Sequence, residues 1–126
     1  MTVLHTKDIF VTLVDPDGET LIRFYRLLFG QEPSVHVPQV YAEFRLPGLR
    51  LGLFKPQANH ATEFSGRAGG MSLCIEVADL EDAIAQFIAL GCPPPGEIRV
   101  ASHGREIYAY DPQGNRLILH QNIPPE

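Results

Sequence analysis

The sequence repeats itself at an offset of about half its own length. Residues 48–55 read GLRLGLFK and residues 114–121 read GNRLILHQ, so both follow the pattern G-x-R-L-x-L. Two further matches precede this one in the same order: residues 24–30 with 85–91, both apolar and ending in glycine, and residues 9–14 with 71–76. Because two long copies are too few for a solenoid, the pattern indicates one supersecondary unit that occurs twice.

Each copy begins with a strand and a helix. Residues 71–77 alternate apolar and polar side chains, which is typical of a half-buried strand. Asp79 can cap the helix that follows, and Gly91 before three prolines ends it. The apolar stripe of this helix is predicted to be Leu80, Ile84, Phe87 and Ile88. In the first copy, the turn D-P-D-G at residues 15–18 precedes a helix that ends at Gly30, with the stripe Leu21, Phe24, Tyr25 and Leu28.

The remaining strands complete the two units. We expect one hairpin from residues 41–46 with 49–54 and a second from 106–110 with 116–120. One weakly marked strand is added per half, around residues 35–40 and 98–101. The prediction is therefore a single α+β domain of two β-α-β-β-β modules in tandem. Module one covers about residues 1–55, an irregular linker covers about 56–70, and module two covers about 71–126.

Composition narrows the choice of partners and compartment. Ten basic against fifteen acidic residues give a formal charge of −5, which argues against a nucleic-acid partner. No apolar run approaches the roughly 20 residues that span a bilayer, and the first residues lack the pattern of a signal peptide. Two cysteines, Cys74 and Cys92, are too few for a disulfide scaffold. We expect a cytoplasmic protein with reduced thiols and no membrane partner.

Three segments carry a resemblance to a known family. They are FYR at residues 24–26 with Gly30, VADL at 77–80, and DPQGN at 111–115, where Gln113 replaces the second Asp of the family's D-P-D-G-N turn. On these segments the chain resembles the vicinal oxygen chelate superfamily, which contains glyoxalase I, extradiol dioxygenases, fosfomycin-modifying enzymes and bleomycin-resistance proteins. The resemblance implies that the two modules set their sheets side by side and that the cupped faces enclose one cavity.

The resemblance also implies where a divalent metal ion would bind, with one ligand position in each of four strands. The positions that match are Phe10, Gly52, Ser72 and Ile118. Divalent ions need carboxylate, imidazole or thiolate ligands, and none of these four residues supplies one. A register slip of one residue would offer only other apolar side chains. We therefore expect no metal at the usual site and no other cofactor.

Strand alternation extends the same positions to a predicted cavity lining. The predicted ligand-binding residues are Phe10, Thr12, Arg50, Phe54, Ser72, Cys74, Arg116, Ile118, Tyr108 and Tyr110, with Gly52, Tyr41 and Glu43 beside them. This mixture of apolar, aromatic and a few polar side chains is typical of a small-molecule pocket. Glu76 and His120 are the candidate catalytic residues, because a carboxylate and an imidazole on one face could act as general acid and base.

Each polar residue also has a structural interpretation. Glu76 would then pair with Arg116 or Arg50, His120 would be a hydrogen-bonded structural residue, and Cys74 would be a buried small apolar side chain. The other histidines, His5, His36, His60 and His103, fall in the terminus or in loops and are expected to be solvated. A relocated metal site built from Glu43, Glu76 and His120 stays open as an alternative.

Three functions are compatible with these features. The first is a metal-independent protein that sequesters or carries a small, partly aromatic or cationic ligand, as bleomycin-resistance proteins of the family do, in a homodimer whose grooves are completed by the partner copy. The second is a lyase, isomerase or group-transfer enzyme that uses Glu76 and His120. The third is a partner-binding module whose pocket is vestigial and filled by Phe10, Phe54 and Ile118.

Overall fold

The computed structural model of the chain describes residues 3–65 and 69–123. Module one contains β1 (Val11–Val14), α1 (Thr20–Phe29), β2 (Val35–Val37), β3 (Tyr41–Leu46) and β4 (Leu49–Phe54). Module two contains β5 (Leu73–Glu76), α2 (Leu80–Ala89), β6 (Arg99–Ala101), β7 (Gly104–Tyr110) and β8 (Arg116–Asn122). The predicted order β-α-β-β-β is therefore confirmed in both halves.

The two modules form separate four-stranded mixed sheets of the same topology. The strand orders are β1-β4-β3-β2 and β5-β8-β7-β6. β1 pairs in parallel with β4, and β5 pairs in parallel with β8. The chain must therefore cross the sheet after β1 and after β5, and α1 and α2 form these crossovers. In the parallel pairs Thr12 is the register partner of Gly52, and Cys74 is that of Ile118. The predicted correspondence between Gly52 and Ile118 is thus present in the structure.

The helices begin at carboxylates and end at glycines. Asp79 caps α2 as predicted, because its side chain accepts a hydrogen bond from the Asp82 backbone N–H at 2.9 Å. At the start of α1 the fully buried Asp15 accepts hydrogen bonds from the backbone N–H groups of Leu21 and Ile22 at 3.1 and 3.3 Å. Burial is the main cause that raises the pKa of the Asp15 carboxyl. The glycines after both helices, at positions 30 and 91, have the left-handed backbone that ends a helix.

Both helices pack on one face of their own sheet and on each other, and the buried apolar residues form one core. That core contains Leu21, Ile22, Phe24 and Tyr25 of α1, Leu80 and Phe87 of α2, and Ala42, Phe44, Leu51, Leu53, Ile107, Ala109, Leu117 and Leu119 of the sheets. The ring of Phe24 meets that of Phe87 edge to face at 5.7 Å, which joins the two modules. The predicted stripe of α2 is wrong at Ile88, which is exposed because it lies about 80° around the helix from Leu80.

Several predicted boundaries are also wrong. The linker is not irregular throughout, because residues Ala58–Phe64 form a 3₁₀ helix, while linker residues 66–68 lie outside the described residues. β1 and β5 are shorter than predicted, since residues 9–10 and 71–72 have no strand partner. The second hairpin is longer than predicted at its open end and spans Gly104–Tyr110 and Arg116–Asn122. Within the described part of the chain, no helix combines the length and hydropathy needed to cross a bilayer.

Candidate functional site

The residues predicted to line a cavity lie on the sheet faces that the helices do not cover. In β4, Leu51 and Leu53 are fully buried toward the helices, so Arg50, Gly52 and Phe54 point to the other side. In β8, Leu117 and Leu119 face the helices, so Arg116, Ile118 and His120 point away from them. We call these two surfaces the open face of module one and the open face of module two.

A single chain leaves both open faces uncovered. The two modules meet through their helix sides, where Gln86 Nε2 donates a hydrogen bond to the Leu28 carbonyl at 2.8 Å and Tyr25 Oη donates one to Asp111 Oδ2 at 2.7 Å. Because the shared core lies between the sheets, the open faces lie on their outer sides. A groove of about 280 Å³ between α1 and β2 and a cavity of about 100 Å³ between the modules are both lined by other residues. The described residues of one chain therefore do not enclose the predicted cavity.

Arg50 is the centre of a polar cluster on the open face of module one. Its Nε lies 3.2 Å from Glu43 Oε1, its Nη2 contacts the Asp8 carboxylate, and its guanidinium carbon stands 4.0 Å from the ring centroid of Phe10. Tyr41 Oη donates a hydrogen bond to the same Glu43 oxygen at 2.8 Å, and burial is the main cause that raises the pKa of this phenol. The approach to Glu43 is poorly directed, so the buried Arg50 Nε–H makes an ion-pair contact but no well-formed hydrogen bond among the described residues. The cluster thus holds a guanidinium between two carboxylates and an aromatic ring.

The packing around Gly52 shows why this face presents no metal ligand at that position. A Cβ atom added to Gly52 would lie 2.6 Å from Tyr41 Oη and 2.9 Å from its Cε1. Real Cβ atoms do not approach other atoms so closely, so any side chain at position 52 would have to displace Tyr41. The tyrosine occupies the space that a ligand side chain would need.

The residues present do not fit the divalent ion that the resemblance implies. Phe10, Gly52 and Ile118 carry no donor atom, and the Ser72 hydroxyl accepts a hydrogen bond from Arg116 Nε at 2.6 Å. The relocated site is not assembled either, because Glu43 belongs to the Arg50 cluster of the other sheet. Residues 3–65 and 69–123 contain no group of three or more His, Cys, Asp or Glu side chains placed to hold a metal ion.

On the open face of module two, Glu76 and His120 meet as the sequence suggested, and a third residue joins them. His120 Nδ1 lies 2.6 Å from Glu76 Oε1, and His120 Nε2 lies 2.8 Å from His103 Nδ1. The two imidazole rings meet edge to edge through these nitrogens, with centroids 4.9 Å apart. Glu76 Oε2 accepts a hydrogen bond from the Asn122 backbone N–H at 2.6 Å. The hydrogen bond with His120 is the main cause that lowers the pKa of Glu76.

These contacts correct several interpretations made from the sequence. Glu76 pairs with neither Arg116 nor Arg50, because Arg116 lies at the opposite end of β8 and donates to the Ser72 hydroxyl and to the carbonyls of Gly69 and Met71. Cys74 is exposed rather than buried, since it projects from the open face. His103 is exposed but not merely solvated. Extending the second predicted hairpin by two residues would have placed position 103 beside the end of β8.

The other predicted residues are distributed over both faces. Tyr108 lies under the Arg99 guanidinium at 5.0 Å, and Phe54 packs edge to face against Phe64 of the 3₁₀ helix at 5.1 Å. Thr12 is exposed beside Gly52, and Tyr110 lies across from Arg116. His5, His36 and His60 are exposed as expected, although His36 belongs to β2 rather than to a loop.

Comparison with known proteins gives consistent results. The family model described as the Glyoxalase/Bleomycin resistance protein/Dioxygenase superfamily matches residues 4–119. A glyoxalase/bleomycin resistance protein/dioxygenase family enzyme from Burkholderia phytofirmans PsJN superposes with a TM-score of 0.76 at 17% identity, over 90% of this chain and 97% of that one. A protein of Agrobacterium tumefaciens solved by NMR in solution gives 0.74 at 24% identity, over 91% and 96%.

A lactoylglutathione lyase from Agrobacterium tumefaciens gives a TM-score of 0.66 at 23% identity, over 94% of this chain and 96% of that one. Among curated proteins there is no match. At these identities the likeness to solved structures establishes the fold.

Proposed function

The chain belongs to the glyoxalase/bleomycin resistance protein/dioxygenase superfamily, and on that premise we propose that it is a metal-independent small-molecule binding protein. The observation that supports this most directly is the Arg50 cluster. Phe10 is 40% exposed against the guanidinium, and the side chain of Arg50 is itself 26% exposed. A vestigial pocket would have buried that ring. The exposed ring and guanidinium instead favour a surface that binds a ligand.

The composition of the cluster suggests a class of ligand. An exposed aromatic ring beside a guanidinium favours a flat aromatic molecule that can stack on it. The partly exposed guanidinium of Arg50 favours a ligand with a hydrogen-bond acceptor, such as a hydroxyl or carbonyl oxygen. The carboxylates of Asp8 and Glu43 already balance the charge of Arg50, so a neutral or cationic ligand fits better than a strong anion.

We further propose that the binding unit is a homodimer. Apolar side chains beside the open faces are exposed in a single chain, among them Ile9, Phe10 and Met71. A two-fold dimer could place the open face of module one of each copy against the open face of module two of its partner, which would cover both faces at once. The two free cysteines, one of them exposed, suit a reducing cytoplasm. The acidic net charge is consistent with a partner other than nucleic acid.

Ligand binding can be tested with 4-nitrophenol, a flat aromatic probe with an acceptor oxygen. We expect amide chemical shifts to move for Phe10, Thr12 and Arg50, and the affinity to fall about tenfold in Arg50→Gln through the lost donor. Arg23→Gln is the matched control, because Arg23 lies on the exposed side of α1. Shifts confined to other surfaces, or equal affinities for both variants, would refute this proposal.

The dimer can be tested by sedimentation velocity. Ile9 and Met71 are exposed apolar residues that precede β1 and β5 at matching positions of the two modules. We expect a dimer for the unmodified chain and a monomer for Ile9→Asp with Met71→Asp. Val100→Asp is the control, because this equally exposed residue lies on β6 at the far edge of its sheet. A monomeric unmodified chain at micromolar concentration would contradict the proposal.

A second candidate function is a lyase- or isomerase-type enzyme, which the short contact between Glu76 and His120 favours. A carboxylate that orients an imidazole is a common arrangement for general acid–base catalysis. The test is conversion of a ligand found to bind, followed by mass spectrometry. Conversion by the unmodified chain that disappears in Glu76→Gln with His120→Gln, while ligand affinity is retained, would support catalysis. Conversion that survives the double substitution would exclude these residues from the reaction.

A further inference from the structure

Both ring nitrogens of His120 are already engaged within the protein. Nδ1 lies 2.6 Å from Glu76 Oε1 and Nε2 lies 2.8 Å from His103 Nδ1. The residue is 9% exposed. An imidazole whose two nitrogens both contact protein groups has no site left for a ligand. An acid–base role for Glu76 and His120, as in the second candidate function, would therefore have to act through a third group that contacts the ligand.

The hydrogen bonds fix where the protons lie when both histidines are neutral. The Glu76 carboxylate can only accept, and its second oxygen is held by the Asn122 N–H at 2.6 Å. His120 must therefore donate from Nδ1, which leaves the lone pair on its Nε2. That lone pair accepts the proton of His103 Nδ1, so the free lone pair of the chain lies on His103 Nε2.

His103 is held firmly enough to perform such a role. It follows β6 and immediately precedes β7, and its carbonyl accepts a hydrogen bond from the Ile123 N–H at 3.3 Å. At Gly104 the strands approach so closely that an added Cβ would lie 2.2 Å from the Gln121 carbonyl oxygen. The hydrogen bond between its Nδ1 and His120 Nε2 fixes the orientation of the imidazole. The imidazole itself is exposed at the end of the open face of module two.

We infer that His103 is the group that exchanges a proton with a ligand bound at the open faces, and that His120 and Glu76 are positioning residues behind it. This inference rests on the proposed binding function and on the proposed homodimer, which would set the open face that carries His103 against the partner's open face of module one. The ligand class is a weakly acidic O–H compound such as a phenol. The O–H bond breaks, its electron pair stays on the ligand oxygen, and the proton bonds to the lone pair of His103 Nε2. The positive charge on His103 is then stabilised by the Nδ1–H hydrogen bonds that lead through His120 to the Glu76 carboxylate. The reverse transfer restores two neutral imidazoles.

Other charged groups face His120 from the neighbouring strand. Glu106 is its register partner on β7, and the Glu106 carboxylate lies 3.9 Å from Arg99. Glu106 makes no hydrogen bond to either histidine among the described residues. Glu106→Gln is therefore a matched control for Glu76→Gln, because both remove one carboxylate beside the same imidazole.

The proton positions can be read from histidine ¹⁵N NMR spectra at a pH where both rings are neutral. We expect the Nδ1–H form for His103 and for His120, loss of that pattern in Glu76→Gln, and no change in Glu106→Gln. Carbethoxylation by diethyl pyrocarbonate should be about tenfold faster at His103 than at His120, because only His103 has a free nitrogen. A proton on His103 Nε2 in the neutral state, or equal reaction rates at both residues, would overturn the inference.

Proton exchange with a ligand can be measured with 4-nitrophenol, whose absorbance reports its ionisation. We expect the bound phenol to be more ionised with the unmodified chain than with His103→Gln, and unchanged with Glu106→Gln. If the probe binds the open face but ionises equally in His103→Gln, the role of His103 is refuted while the binding function stands. If the probe does not bind there, the binding function fails and the proton exchange that rests on it fails as well. The ¹⁵N spectra then still decide the proton positions.

Discussion

Tyr41 and Gly52 lie next to each other on the open face of module one, and the tyrosine ring leaves no room for a side chain at position 52. The tyrosine ring fills the space above the glycine, and its hydroxyl donates to the buried Glu43. A carboxylate or imidazole at position 52 could bind a metal only if that ring moved away. The absence of a ligand side chain at position 52 and the presence of an aromatic ring above it are therefore linked by packing.

Gly52→Ala is expected to destabilise the protein by about 1–3 kcal/mol, as overpacking in a filled site does. The new methyl group would stand 2.6 Å from Tyr41 Oη, so the ring must turn away and break its hydrogen bond to Glu43. The free energy of unfolding from urea titration is the measurement.

Gly96→Ala is the matched control for this substitution. Nothing lies within 4 Å of a Cβ added at Gly96, and the backbone there is not left-handed. We expect its effect to stay within about 0.5 kcal/mol. Equal losses for the two variants would show that Tyr41 does not crowd position 52.

The carboxylate that caps α1 is buried and the one that caps α2 is exposed. Removal of the two carboxylates should therefore lower the free energy of unfolding by different amounts. Asp15→Ala would leave the N–H groups of Leu21 and Ile22 without acceptors in the core, at a cost of about 1–3 kcal/mol. Asp79→Ala removes an exposed cap of α2, where water can replace the carboxylate, and should cost about 1 kcal/mol or less. Urea titration of both variants tests the order. A larger loss for Asp79→Ala would contradict the assigned depth of the two caps.

α2 is tied to β7 by a paired ionic contact that should respond to pH. Arg105 donates two hydrogen bonds to the Glu81 carboxylate at 2.6 and 2.8 Å, and this contact is the main cause that lowers the pKa of Glu81 from 4.5 to about 2. A lowered pKa means that the ionised group contributes stability above pH 4.5 and that this contribution is lost as the pH falls toward 2.

We therefore expect Glu81→Gln to be less stable than the unmodified chain at pH 7, and the difference to vanish between pH 4.5 and 2. Added salt should reduce the difference at pH 7, because the pair is exposed to solvent. Unfolding followed at several pH values is the measurement. Glu97→Gln is the control, since Glu97 is exposed and forms no ion pair within the described residues. A pH-independent difference would exclude the ionic explanation.

The strands show which elements a sequence specifies locally. The hairpin Tyr41–Leu46 with Leu49–Phe54 is confirmed residue by residue, because alternation and the turn at Pro47 and Gly48 lie in one short segment. The starts of β1 and β5 depend instead on partners about 40 residues away in β4 and β8, which supply register only for residues 11–14 and 73–76. The contact of His103 with His120 was missed for the same reason. The two residues meet across a hairpin that extends beyond the alternating residues from which it was predicted.

In the whole molecule, the repeat predicted two modules but not how they pack. Their arrangement depends on contacts between side chains far apart in sequence, such as the edge-to-face pair of Phe24 and Phe87. These contacts place the helices of both modules in one core and leave the open faces outside. The resemblance implied one enclosed cavity, whereas a single chain leaves both faces uncovered. Sequence periodicity identifies which residues share a face, but it does not determine which surface covers that face.

The hydrogen bond between Tyr25 and Asp111 links the modules at a buried point, which gives a test of their cooperation. Asp111 also accepts hydrogen bonds from the backbone N–H groups of Gln113 and Asn115 and from the Asn115 side chain, so it holds the turn before β8. Burial is the main cause that raises the pKa of Tyr25, so the phenol stays a proton donor to this carboxylate.

Tyr25→Phe should lower the free energy of unfolding by about 1–3 kcal/mol, because it removes one donor from a buried carboxylate. Tyr110→Phe is the control, since the Tyr110 hydroxyl makes no hydrogen bond among the described residues and its removal should change little. Because both modules share one core, Tyr25→Phe should move a single transition that far-ultraviolet circular dichroism and tyrosine fluorescence report at the same urea concentration. Two separate transitions would show that the modules unfold independently and that the helix-side contacts do not couple them.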